Sequence, residues 1–318
     1  MLTGRNPVAA RSGDLSLCGW RVRTRLSLPE LLPWTGDARE PELRIAIGTV
    51  PTRLQEAIEV SPLLQVNQQG EALLSIEGVA TYWLRSPQEI VVAPQTAADA
   101  PDIRTFLFGT VFGLLVHRRG LFPLHASCVR IGDRAIALCG RSGAGKSTLA
   151  AALTRRGCKL LADDVCVIDP DTAGRPVVLP AFPRVKLWKD SLDAMGIASD
   201  GLTPNRDGQS KYYLRFDEVT EFEARPVPLA AIYFLAPASS PLPGGGEIRP
   251  LSAMAGVMAL HQQIYRRRTA TIWGLEPALF GSAGRIAGAA RSYQLVRETD
   301  LGGLDAIARR IEAHAASC

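Results

Sequence analysis

Residues 140–147 (GRSGAGKS) constrain the fold of this chain more than any other stretch. Their Gly-x4-Gly-Lys-Ser pattern is typical of a loop whose glycines let successive backbone N–H groups converge on phosphate oxygens. An apolar strand is predicted before the loop, over 134–139, and a helix after it, over 147–156, with Gly157 as its end. Residues 159–162 predict the next strand. This order of strand, loop, helix and strand is typical of an α/β domain that binds a nucleotide.

The loop pattern predicts a role for each of its polar residues. Lys146 should reach the β- and γ-phosphates of ATP, and the Ser147 hydroxyl should coordinate Mg²⁺. Arg141 is a candidate phosphate contact within the loop, and a solvent-facing side chain is the favoured interpretation. The helix that follows adds the partial positive charge of its N-terminus. The predicted nucleotide-contacting residues are Gly140, Arg141, Ser142, Gly143, Ala144, Gly145, Lys146, Ser147 and Thr148.

Two adjacent acids, Asp163 and Asp164, follow an apolar strand one helix after the loop (KLLADD). In such folds the carboxyl end of that strand lies beside the phosphate loop, where an acid can hold Mg²⁺ through water or accept a proton. Each acid is therefore a candidate metal ligand and a candidate catalytic base. An exposed turn or a helix cap is the alternative interpretation of the pair. The residues alone do not decide which acid is the base.

His125 lies in the segment PLHAS, on a strand over 124–130. This strand is predicted to form a hairpin with the loop strand around Gly132-Asp133. A lone histidine beside apolar residues is more often a packed core residue than a catalyst. The local pattern therefore leaves the role of His125 open.

Taken together, His125, the loop at 140–147 and the segment RRGCKLLADD resemble the catalytic domain of the HPr kinase/phosphorylase family. The close resemblance covers residues 121–169. Over its whole length the chain is more similar to HPr-kinase-like proteins in which an N-terminal domain leads through a helix into an "LHAS" segment. Some of these proteins phosphorylate a serine on lasso peptide precursors.

The composition and the apolar pattern predict a cytoplasmic protein. The resemblance implies a serine kinase that uses ATP and Mg²⁺ and acts on a protein or peptide. It implies a phosphoenolpyruvate-carboxykinase-like phosphate-loop domain with a mixed sheet and helices. Lys146 would bind phosphate, the Asp163/Asp164 pair would supply the base, and His125 would lie beside that pair and tune it. Ala126 stands where the sugar-regulating enzymes carry glycine, and Thr148 stands where they carry an acid. The resemblance therefore does not extend to HPr as the substrate or to the reverse reaction.

Three further cations are candidates for contacting the substrate or the transferring phosphoryl group. Arg184 and Lys186 lie in the segment PRVKLW, and Lys211 lies in GQSKYY. A cation aimed at developing negative charge stabilises a transition state. The alternative interpretation of each is a solvated surface charge.

The regions around this core are less informative. Residues 1–100 predict a smaller α+β domain with strands over 43–50, 63–66, 73–76, 80–85 and 89–92, and residues 101–318 the catalytic domain. A helix is predicted over 101–119, with Gly120 as its stop. Further predictions are a strand over 229–235, a loop over 236–250, and helices over 252–266 and 301–314, the last capped by Asp300.

The composition limits the classes of partner. A net charge of +5 and a pI near 9.0 are compatible with an anionic ligand but do not predict nucleic-acid binding. The basic run at 265–268 is interpreted as the C-terminal end of a helix. The longest apolar run, residues 105–116, is too short to span a membrane. No signal peptide is seen, and the six scattered cysteines predict buried thiols.

Two other classes of function remain open beside the serine kinase. One is a switch driven by nucleotide hydrolysis, and the other is an ATP-sensing module without transfer activity. A small-molecule kinase also remains open, because the acceptor site lies outside the motif. The sequence does not decide whether the chain forms a homo-oligomer.

Overall fold

The structure is a computed structural model, and it describes residues 13–205, 209–240, 242, 246–298 and 300–317. Contacts among these residues fall into two units. The first comprises the described residues of Met1–Leu121 and Arg266–Glu276, and the second those of Phe122–Tyr265 and Pro277–Cys318. The sequence places this boundary after residue 100.

In the first unit, the described residues form one mixed sheet of nine strands in the order β3-β1-β2-β4-β9-β8-β7-β6-β5. The strands are β1 (Leu15–Leu17), β2 (Trp20–Thr24), β3 (Leu32–Pro33), β4 (Leu43–Ile47), β5 (Ile58–Ser61), β6 (Leu64–Val66), β7 (Ala72–Ile76), β8 (Ala80–Ser86) and β9 (Glu89–Pro94). The five strands predicted from the sequence are confirmed as β4, β6, β7, β8 and β9. The short strands β1, β2, β3 and β5 were not predicted.

The predicted helix after residue 100 is confirmed and packs in the first unit. It consists of α1 (Pro101–Phe106), a π-helical segment (Leu107–Val111) and α2 (Phe112–Arg118). Gly120, with φ +69°, follows its end. The Tyr82 hydroxyl donates a hydrogen bond of 2.9 Å to the carbonyl of Ile103. Because this helix is held by the first sheet, it belongs to the first unit.

The second unit begins with the elements that carry the phosphate loop. They are β10 (Phe122–Leu124), β11 (Ala126–Ile131), β12 (Arg134–Cys139), α3 (Lys146–Arg155), β13 (Lys159–Asp163), β14 (Cys166–Thr172) and β15 (Arg175–Leu179). They are followed by β16 (Arg184–Trp188), α4 (Lys189–Ala194), β17 (Lys211–Arg215), β18 (Val227–Pro237), β19 (Gly246–Pro250) and α5 (Ala253–Gln262). The next helix, α6 (Arg267–Ile272), belongs to the first unit. The last elements are α7 (Glu276–Ala289), β20 (Arg291–Arg297) and α8 (Leu304–Ala316).

The main sheet of the second unit is mixed, as predicted. β12, β18 and β20 run parallel to one another, and β11 lies antiparallel between β12 and β13. β13 is therefore parallel to β12. The carboxyl ends of these four parallel strands, at Cys139, Asp163, Pro237 and Arg297, share one edge of the sheet. Helix α3 packs on β11 and β13 and buries Leu149 there.

Four predictions in the second half of the chain are wrong. Residues 246–250 form the strand β19 rather than a loop, because they pair with β20. Helix α5 ends at Gln262, well before Arg266. Helix α8 begins after Gly303 rather than behind Asp300. The basic run does not end a helix: Arg266 precedes α6, and Arg267 and Arg268 lie in its first turn. The elements that were not predicted are β10, β14, β15, β16, α4, β17, α6, α7 and β20.

The cysteines lie where the sequence predicts. Cys18, Cys128, Cys139, Cys158 and Cys166 are buried with free thiols. Cys318 lies outside the described residues. Within the part of the chain that the structure describes, no helix has the length and apolar character needed to cross a bilayer.

Candidate active site

The predicted phosphate loop, residues 140–147, connects the end of β12 to the start of α3. Gly143 and Gly145 have φ values of +82° and +86°, a left-handed conformation that favours glycine. The side chains of Arg141 and Ser142 are exposed. Helix α3 begins directly at Lys146, so the backbone N–H groups of its first turn face the loop. This arrangement can cradle the phosphates of a nucleotide.

Lys146 is buried at 7% exposure and folds under the loop. Its Nζ donates to the carbonyl oxygens of Gly140 (2.9 Å) and Arg141 (3.2 Å). Burial lowers the pKa of Lys146, and the negative charge of Asp163 opposes that shift. The ammonium is thus held at the mouth of the loop, where a phosphate oxygen is its natural partner.

His125 lies between β10 and β11 rather than within a strand, and its ring joins the lysine to the acid pair. Its backbone N–H donates to the carbonyl of Gln263 (2.8 Å), which fixes the turn. Its Nε2 is 3.1 Å from Lys146 Nζ, and its Nδ1 is 3.0 Å from the carbonyl oxygen of Asp164. A neutral imidazole with the proton on Nδ1 satisfies both contacts, since it accepts from Lys146 and donates to Asp164.

Asp163 is buried and accepts three hydrogen bonds. Its Oδ1 accepts from the hydroxyls of Ser127 (2.6 Å) and Ser147 (2.8 Å). Its Oδ2 accepts from the backbone N–H of Lys186 (3.1 Å). The carboxylate is therefore fixed in position directly beside the serine that follows the loop lysine.

Asp164 has a different environment. Its backbone φ is +72°, which turns its side chain away from the line of β13. Lys186 Nζ donates to its Oδ2 at 3.0 Å, and His125 Nδ1 lies 3.4 Å from its Oδ1. Its side chain is 31% exposed. Burial alone would raise its pKa, but the hydrogen bond from His125 and the charge of Lys186 hold the pKa well below its ordinary value. Asp164 is thus a charged and accessible acceptor.

The residues present fit Mg²⁺ bound together with a nucleotide. Mg²⁺ takes oxygen ligands, keeps several of its waters and is often held by one or two protein groups plus phosphates. Ser147 Oγ and Asp163 Oδ1, which are 2.8 Å apart, supply a hydroxyl and a carboxylate of this kind. Among the described residues, no three His, Cys, Asp or Glu side chains are grouped so that they could hold a metal. Phosphate oxygens and waters would complete the coordination of an ion held by Ser147 and Asp163.

The other predicted residues are placed differently. Lys186 contacts both acids, through its backbone to Asp163 and its side chain to Asp164. Lys211 lies opposite Trp188, with Nζ 5.3 Å from the centroid of the Trp188 ring. Burial lowers the pKa of Lys211, and so does the positive charge of Lys186.

Arg184 and Thr148 point to neighbours outside the acid pair. The Arg184 guanidinium packs over the rings of Tyr213 (3.9 Å) and Phe182 (5.2 Å). The Thr148 hydroxyl is 3.0 Å from the hydroxyl of Ser191, in the interior beneath α4. These contacts tie α3 and β16 to their neighbours.

The sequence analysis missed two residues of the site. Ser127 reaches Asp163 because β11 lies between β12 and β13, and the register pairs Ser127 with Asp163. Arg297 ends β20 and lies against the loop at Gly145. The signal for Ser127 was its place two residues after His125. Arg297 had no local signal, since β20 itself was not predicted.

The Lys186–Asp164 pair predicts a pH dependence of stability. The pKa of Asp164 lies below its ordinary value of 3.8, so its contribution is complete above that pH and is lost as the pH falls further. Burial alone would lower the pKa of Lys186, but the charge of Asp164 raises it above 10.5. The contribution of Lys186 to folding stability is therefore complete below pH 10.5 and is lost at higher pH. In Lys186→Met we expect the free energy of unfolding at pH 7 to be about 1–2 kcal/mol lower than in the wild type. Between pH 5 and 3 we expect the variant's free energy of unfolding to fall less steeply than that of the wild type.

Urea unfolding at pH 7, 5 and 3 measures this difference. Lys189→Met is the matched control, because Lys189 pairs with Asp193 in an exposed i,i+4 contact on α4. An acid-side slope equal to that of the wild type would contradict the assignment.

Comparisons with known proteins add little to this geometry. No family model and no curated protein sequence matches the chain. Among solved structures, it is similar to the Hpr(Ser) kinase/phosphatase from Coxiella burnetii, at 13% sequence identity and a TM-score of 0.32, over 62% of this chain and 99% of that chain. A likeness at this level carries no argument about function. The function is therefore argued from the residues of the site.

Proposed function

We propose that the second unit transfers the γ-phosphoryl group of Mg²⁺-bound ATP to a serine hydroxyl of a protein or peptide. One observation carries the proposal. Ser147 of the loop and Asp163 of β13 share a hydrogen bond of 2.8 Å, and the second acid, Asp164, lies beside them and is accessible. A site that only bound nucleotide would not require a second, exposed carboxylate next to the first.

Phosphoryl transfer needs positioning and charge neutralisation more than covalent catalysis. Lys146 and the N–H groups at the start of α3 bind the β- and γ-phosphate oxygens. Ser147 and Asp163 would hold Mg²⁺, which when bound would supply further neutralisation of the phosphate charge. Ser127 and the backbone of Lys186 keep the Asp163 carboxylate in place.

Asp164 is the acid that we assign to the acceptor. Its carboxylate accepts a hydrogen bond from the serine hydroxyl and orients the oxygen toward the γ-phosphorus. As the new P–O bond forms and the bond to ADP breaks, the hydroxyl proton passes to Asp164. The low pKa of Asp164 keeps it charged at neutral pH, so it acts mainly by orientation and accepts the proton late.

His125 positions Lys146 and Asp164 relative to each other. Its ring links the ammonium that binds phosphate to the backbone of the residue that binds the acceptor. The contact with the Lys146 ammonium uses the lone pair of Nε2, so this ring nitrogen acts as the acceptor.

Incubation with γ-labelled ATP, Mg²⁺ and a panel of serine-containing peptides tests the proposal. We expect labelled peptide, with the label lost when the accepted serine is replaced by alanine. Release of free phosphate without labelled peptide would favour a hydrolytic switch instead. Nucleotide binding without either product would leave a sensing module.

A further inference from the structure

Arg297 is a buried cation beside the phosphate loop. It is the last residue of β20 and is 5% exposed. Its Nη1 lies so close to Gly145 that a Cβ added there would be 2.7 Å from it. Its Nε donates to the carbonyl of Glu298 (2.7 Å), whereas its Nη1 has no hydrogen-bond partner among the described residues. The Nε donor of the guanidinium therefore has a hydrogen-bond partner, whereas Nη1 lies against the loop.

Leaving a buried guanidinium N–H unsatisfied is costly, so this donor calls for a partner. Burial lowers the pKa of Arg297, and the charge of Asp300 opposes that shift only in part. Arginine remains protonated in proteins, and its planar fork suits phosphate oxygens. The nearest feature built to receive an anion is the loop that Gly145 belongs to.

The sheet order decides which phosphates Arg297 can reach. β18 separates β20 from the loop strand β12 on one side, and β11 separates β13 from β12 on the other. Arg297 and the acid pair therefore lie on opposite flanks of the loop. Because the acids face the γ-phosphoryl group in the proposed function, Arg297 faces the phosphates that stay behind.

We propose that Arg297 binds the non-transferred phosphates of the nucleotide and sets its affinity. This inference rests on the proposed function for the location of the nucleotide. The contact is the same before and during transfer, so it contributes to binding rather than to the chemical step. Glycine at 145 is then required twice, for its left-handed φ and for the space that the guanidinium occupies.

Calorimetric titration with Mg²⁺-ADP tests this proposal, since ADP contains the retained phosphates alone. We expect the Kd for ADP to rise about 10- to 100-fold in Arg297→Gln, which loses a charge-assisted contact. Arg297→Lys keeps the charge, so its Kd for ADP should lie between those of the wild type and Arg297→Gln. In the transfer assay, KM for ATP should rise while kcat changes less than about threefold.

The matched control is Arg249→Gln, which removes an arginine paired with Glu247 on the exposed strand β19. Its ADP affinity should equal that of the wild type. Unchanged ADP affinity in every folded Arg297 variant would overturn the inference, as would a fall in kcat with unchanged ADP affinity. If the wild type binds no ADP, the proposed nucleotide site itself fails. If it binds ADP but transfers nothing, only the kinase proposal fails.

Discussion

Lys146→Ala is expected to lower kcat/KM for phosphoryl transfer on the order of a thousandfold or more. The Lys146 ammonium is buried against the carbonyls of Gly140 and Arg141, and it touches the ring of His125. Its removal leaves the developing charge on the β- and γ-oxygens without its closest cation. Because Lys146 is buried, its charge interacts more strongly with a phosphate oxygen than an exposed charge in water would. The rate should be measured at saturating ATP, so that weakened binding does not account for the loss.

The control for this variant is Lys189→Ala. Lys189 is exposed on α4 and pairs with Asp193 at 2.7 Å, so its removal should leave transfer unchanged. Retention of near-wild-type transfer by Lys146→Ala would show that the loop does not hold the transferred phosphoryl group.

Asp163→Asn is expected to reduce transfer by a similar factor, on the order of a thousandfold, for a different reason. The carboxylate accepts from Ser127, Ser147 and the backbone of Lys186, and an amide cannot accept from all three. The amide also lacks the charge that Mg²⁺ prefers. The Mg²⁺ concentration for half-maximal activity should therefore rise in this variant.

Asp164→Asn distinguishes the role of Asp164 from that of Asp163. It should lower kcat without raising the Mg²⁺ requirement, since Asp164 is assigned to the acceptor hydroxyl. Asp193→Asn, an exposed acid on α4, serves as the control for both variants. An unchanged Mg²⁺ requirement in Asp163→Asn would refute the metal role, and a raised requirement in Asp164→Asn would reverse the assignment.

The local part of the site could be predicted from the sequence. The glycines, Lys146 and Ser147 lie in one contiguous segment, and the helix that follows them needs only local hydrogen bonds. The acids at the end of β13 follow by the rule that parallel strands end at a common edge. The elements β12, α3 and β13 are accordingly those in which sequence and structure agree best.

The distant part could not be predicted, because it depends on strand pairing across the chain. Ser127 meets Asp163 only when β11 is inserted between β12 and β13. Arg297 reaches the loop only because β20 pairs with β18, more than fifty residues before it in sequence. Neither pairing leaves a periodic signal in the residues themselves, and β20 has a mixed pattern of burial.

The antiparallel course of β11 also makes the domain convenient to modify. Ser127 lies at the end of this strand beside the candidate site, whereas the turn at Gly132 and Asp133 lies at the opposite end, about 17 Å away at the usual rise of an extended chain. Both turn residues are exposed. A fluorophore, an affinity tag or a new pair of chain termini introduced there would leave the residues of the candidate site undisturbed.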